Sequence, residues 1–202
     1  MANTDADRAA EAPDHHAWLV STLQSHRDAM LWKLDGVPEH DARRPLTPTG
    51  TNLLGLVKHL AYVEFGYWGP TFGREVPLPL PAWDDDAAPN DDMFAGAGES
   101  RAEVLSLYRS SWGFGAETIA RGLDAPGRVP WWPEERAVVD VRLVLGHLIA
   151  ETARHAGHAD ILREQLDGAV GRFKGRDNLP EGDATWWRWY VGRVQKAADA
   201  HR

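Results

Sequence analysis

Four long stretches of this chain repeat their apolar residues with the period of a helix, and no stretch alternates with a period of two over more than a few residues. Such a pattern cannot supply the one-faced strands of a sheet, so the expectation is an all-α fold. The first helix starts at Asp14, a side chain suited to an N-cap, runs through AWLVSTLQSHRDAMLWKL and stops at Gly36 and Pro38. The second covers TNLLGLVKHLAYVEFGYW and ends at Gly69-Pro70. Ser100 and Glu103, in capping-box spacing, open the third. The fourth begins near Asp140, carries ETARHAGHADILRE and ends at Gly168. TWWRWYVGRVQKAADA adds a shorter, aromatic helix. Together these predict an antiparallel four-helix bundle with a long connection between helices two and three and an extra C-terminal helix. Residues 1–13 read as a disordered N-terminal tail, and 14–202 as a single domain.

Composition removes several classes of function. A net charge of −8 without a basic stripe speaks against nucleic acid as a partner. No run approaches the roughly 20 apolar residues that span a bilayer. The N-terminus is acidic where a signal peptide would be basic and then apolar, so no membrane is expected and a cytoplasmic location is. With no cysteine, disulfides, thiolate metal ligands and a cysteine nucleophile are all excluded within the chain. The acidic run WDDDAAPNDD lacks the glycine and terminal glutamate of an EF-hand loop and reads as a solvated connection.

The fourth helix contains a contradiction. At about 100° per residue, Val144, Leu148, His155, His158, Leu162 and Leu166 all fall within about 60° of Glu151, and His147 flanks the same face. A carboxylate and imidazoles thus stand in the middle of the stripe that should be buried. Burying them costs several kcal/mol unless they are paired, so the stripe must be exposed, mutually hydrogen-bonded or wrapped around a cation. Glu151 and His155, four residues apart, project side by side and can share one ion. The best third donor is His59 in GLVKHLAYVEFG, on an otherwise apolar line with Gly55, Leu56, Val63 and Gly66. A hydrogen-bonded, metal-free core satisfies the same pattern.

The segments TGTNLLGLVKHLAYVE and IAETARHAGHADILREQLDG, in that order and separation, resemble the DinB-like superfamily. The likeness is to its actinobacterial branch, near mycothiol-dependent maleylpyruvate isomerase and the bacillithiol S-transferases. The resemblance implies a four-helix bundle whose metal is held by a His of helix two and two residues four apart on the last bundle helix. That pattern falls on His59, Glu151 and His155, with Glu151 in the carboxylate form of the isomerase-like branch. It also implies a role for His158, beside His155 as an orienting neighbour or as a fourth ligand. The isomerase's C-terminal thiol-binding domain has no match here, so its particular reaction is not implied.

Three protein ligands and an open position describe a catalytic metal site, and two imidazoles with a carboxylate suit zinc first, with nickel or ferrous iron as alternatives. Because the chain has no thiol of its own, a metal-bound thiolate would come from a low-molecular-weight thiol; the resemblance implies mycothiol or a similar cosubstrate. The expected activity is a transferase or isomerase reaction on a small-molecule electrophile. His158 or His147 is the candidate to move a proton, and the same two residues are the candidates to orient the ligands. Trp131 and Trp132, just before helix four, are candidates for the wall of a substrate pocket. The aromatic C-terminal helix offers a seam for a homodimer. Two other readings remain: a non-catalytic metal or small-ligand binding protein of the same fold, and a metal-dependent hydrolase using bound water.

Overall fold

A computed structural model describes residues 14–80 and 89–202. The expected tail at 1–13 and most of the acidic run therefore lie outside the described residues. The chain divides into two compact units, Met1–Val170 and Gly171–Arg202.

In the first unit the four expected helices are α1 (His15–Trp32), α3 (Leu53–Trp68), α4 (Arg101–Ile119) and α6 (Val141–Asp167). Their starts are fixed by local chemistry. Asp14 accepts from the Ala17 amide at 3.0 Å, and Asp140 accepts from the Leu143 amide at 2.8 Å. Ser100 and Glu103 form a reciprocal capping box. Gly168, at φ 76°, supplies the left-handed residue that ends α6. Short elements lie between them: α2 (Glu39–Arg43), α5 (Glu134–Ala137), and an antiparallel pair of three-residue strands, β1 (Pro126–Arg128) and β2 (Val138–Asp140). These strands are too short to show alternation, and the architecture is all-α.

The bundle is built of two parallel pairs set antiparallel to each other. Lys58 near the start of α3 meets Glu99 just before α4, and Thr118 near the end of α4 donates to the Trp68 carbonyl at the end of α3. Those two helices therefore run the same way, which requires the long crossing connection. Likewise Arg163 of α6 donates to the Lys33 carbonyl at the end of α1. His59 and Tyr67 of α3 meet Glu151 and His147 of α6 in reverse order, so the pairs oppose. The core forms two clusters, one around Met30, Leu56, Leu60 and Leu162, the other around Leu23, Trp68, Leu145 and Leu148.

The second unit holds α7 (Ala184–Asp199), capped by Asp183, whose carboxylate accepts from the Thr185 and Trp186 amides. Within it Trp186 stacks on Tyr190 at 5.4 Å, and the Arg193 guanidinium lies over Trp189. Among the described residues no helix is long and apolar enough to cross a membrane.

Candidate metal centre

The antiparallel packing of α3 on α6 brings His59 against Glu151 and His155. His155 Nε2 lies 3.0 Å from Glu151 Oε1, and His59 Nε2 lies 3.7 Å from the same oxygen. One ligand atom from each of the three residues falls within 4.8 Å of the others. Donor atoms around one tetrahedral zinc ion sit about 3.4 Å apart, given bonds of about 2.1 Å, so the spacing and the donor set fit a single divalent ion. The side chains are 19%, 27% and 10% exposed, which leaves the cluster reachable from solvent.

The local electrostatics suit a cation. Burial alone would raise the Glu151 carboxyl, but His155, His59 and His147 around it hold it below its ordinary value. Burial, reinforced by the nearby His59 ring, pushes His155 down and favours the neutral imidazole that a metal requires.

His158 is exposed and its Nδ1 lies 3.4 Å from Nδ1 of His155, on the far side of that ring from Glu151. This contact reaches the nitrogen of His155 that is turned away from the cluster. His147 sits one helical turn before Glu151, its ring 4.5 Å from Tyr67 and 5.4 Å from Trp132. Burial lowers its pKa. Trp131 packs edge-on against Tyr67, and Trp132 donates its indole N–H to the Tyr67 hydroxyl at 3.1 Å. Both tryptophans are half-buried and lie against the core cluster that includes Tyr67.

One side chain departs from the sequence reading, and a second makes long-range contacts that the reading does not cover. Asp92, the last residue of the acidic run, is buried, and its Oδ2 accepts from His59 Nδ1 at 2.6 Å. That hydrogen bond holds its carboxyl below the ordinary range, against the effect of burial. A solvated loop was the expectation for this run, and Asp92 overturns it at its own position. Arg163, beside the polar stripe on α6, is buried; it donates to Asp167 and to the carbonyls at the end of α1.

A cavity of about 550 Å³ is lined by Arg43, Thr49, Asn52, Asn90, Met93 and Phe94, none of them a member of the cluster. The Arg43 guanidinium there already donates to the carbonyls of Ala95, Gly96 and Glu99.

A family model described as mycothiol-S-transferase matches residues 18–168, three-quarters of the chain. The chain belongs to the mycothiol-S-transferase family. This is a DinB-like family, in agreement with the resemblance carried by the helix-two and helix-four segments. The family match contains all three donors and nearly the whole of the first unit, and stops short of α7. No curated protein matches the sequence.

Proposed function

We propose that this protein is a metal-dependent S-transferase that joins a low-molecular-weight thiol of the mycothiol type to a small electrophile. The observation that carries the reading is the coincidence of His59, Glu151 and His155 in an accessible cluster inside a chain of the mycothiol-S-transferase family.

His59, Glu151 and His155 would hold the ion, with zinc the best fit to two imidazoles and one carboxylate. When bound, a divalent ion supplies the means to deprotonate a thiol whose free pKa is near 8.5, giving the nucleophile at neutral pH. The chain's own contribution is placement. His158 steadies His155 through the nitrogen turned away from the cluster. His147, half-buried and one turn from Glu151, is placed to take the thiol proton. Tyr67, Trp131 and Trp132 form the apolar flank beside His147, where an electrophile would rest. The sulfur then forms a bond to the electrophilic carbon. The leaving group departs with its electron pair, and the thiol proton passes to His147 or to water. A free-thiol cosubstrate suits a reducing compartment, which favours the cytoplasm.

The test is metal content by mass spectrometry on untagged protein, alongside conjugation of mycothiol to 1-chloro-2,4-dinitrobenzene. About one metal per chain is expected in the wild type, lost in His59→Ala and His155→Ala together with conjugation. Turnover that persists without added thiol would make the protein a hydrolase. Wild-type protein that stays metal-free after incubation with zinc, nickel or iron would remove the enzyme reading.

A further inference from the structure

We infer that Asp92 is a positioning residue for His59, fixing that ring as the Nδ1–H tautomer so that its Nε2 lone pair faces Glu151 and His155. The inference rests on the metal reading only for its consequence, not for its geometry.

The geometry leaves little choice. Nδ1 of His59 lies 2.6 Å from Asp92 Oδ2, while Nε2 of the same ring lies 3.7 Å from Glu151 Oε1. A carboxylate accepts hydrogen bonds and, when ionised, donates none, so the nitrogen beside Asp92 carries the proton. The other nitrogen is left as the donor atom for an ion. Residues that hold the far side of a ligating histidine orient the ring and raise its basicity, and their loss costs about 10- to 100-fold in metal affinity.

Asp92 is brought to this position by a clamp on one side of α3. Asn52 donates to the Met93 carbonyl at 3.2 Å. Lys58, itself buried, donates to the carbonyls of Asp91 and Phe94, each at 3.0 Å, and to Glu99 Oε2 at 2.9 Å. Between them the backbone of Met93 lies so close to Gly55 that a Cβ there would stand 1.9 Å from the Met93 oxygen. Residues 52, 55, 58 and 59 thus hold the end of the connection and receive its carboxylate. An isolated acidic side chain would not be buried this way without a cationic or donor partner. The tie between Asp92 and His59 is that partner.

The experiment has two readouts. In metal-free protein, two-bond ¹H–¹⁵N correlations of the His59 ring should show the Nδ1–H tautomer in the wild type and a shift toward Nε2–H in Asp92→Ala. Zinc affinity, measured by competition with a chromophoric chelator, should fall about 10- to 100-fold in Asp92→Ala. It should fall less in Asp92→Asn, whose amide oxygen can still accept, and should not change in Asp91→Asn. If Asp92→Ala does not fold, Asp92→Leu, which fills the space but accepts no hydrogen bond, carries both measurements. An Nδ1–H tautomer in a wild type that binds no zinc would sustain the positioning role and remove the metal reading. An unchanged tautomer and unchanged zinc affinity in the folded Asp92 variants would overturn the inference while leaving the metal reading intact.

Discussion

Helix α3 carries Lys58, His59 and Glu64 on an otherwise largely apolar cylinder, and the last two are finished in opposite ways. Glu64 is completely buried and faces α1, where Arg27 grips both of its carboxylate oxygens, one through Nε at 2.8 Å. Five residues earlier His59 faces α6, where one ligand atom each of His59, Glu151 and His155 lies within 4.8 Å of the others. The first pair is closed and uses its hydrogen-bonding capacity internally. The second is partly exposed, with side chains 19%, 27% and 10% accessible and three ligand-type atoms grouped together. Burial of charge alone therefore does not mark a site; ligand-type atoms grouped in an accessible cluster do.

The largest expected effect separates these two regions directly. Arg27→Ala leaves Glu64 buried and uncompensated and should cost about 3–5 kcal/mol in chemical denaturation. Arg27→Met with Glu64→Leu should recover most of that loss. Neither change should alter the metal content of protein that folds. A chelator should lower the melting temperature of the wild type and leave His59→Ala unmoved, because an ion at one hundred times its Kd stabilises by about 2.7 kcal/mol. Equal responses of the two proteins would erase the contrast.

A smaller effect tests the clamp. Gly55→Ala should cost about 1–3 kcal/mol, since the new methyl meets the Met93 backbone rather than a flexible side-chain end. Gly157→Ala in α6, with nothing within 4 Å of its Cβ, should instead gain about 1 kcal/mol from helix propensity. Denaturant titrations of the two variants must move in opposite directions.

The smallest concerns acid. Burial pushes Glu99 up, but Lys58 and the Gly96 amide more than offset it, so its carboxyl sits below the ordinary value of 4.5. The folded state thus binds a proton less readily than the unfolded one. This contribution is complete above the unfolded value and disappears as pH falls through the lower folded one. Glu99→Gln should flatten the stability profile slightly below pH 4.5 and leave it unchanged in shape near neutrality.

Sequence reading succeeded where the determining chemistry is local or periodic. Asp14, Ser100 with Glu103, and Asp140 mark helix starts because an N-cap acts over three residues. His59, Glu151 and His155 stood out because polar groups interrupt an apolar face. Asp92 gave no such signal: it lies 33 residues from His59, in a polar stretch where one aspartate looks like the next. The contacts of Arg163 with the last carbonyls of α1 gave no signal for the related reason that those acceptors lie 131 and 130 residues away. Glu64 and Arg27 could not be matched from the sequence either, since each helix gives only its own half of the pair.

The parallel arrangement of α3 and α4 has a kinetic side. The donors from α3 and α6 are about ninety residues apart in the chain, with the crossing connection and α4 between them in sequence. Only Glu151 and His155 are neighbours as soon as a single helix forms. A chain with α6 formed but undocked therefore presents two donors, and the third arrives when α6 settles against α3, a contact that closes a loop of about ninety residues. Occupation of the cluster by a trial cation during refolding would report the docking of α6 on α3 rather than the formation of either helix on its own.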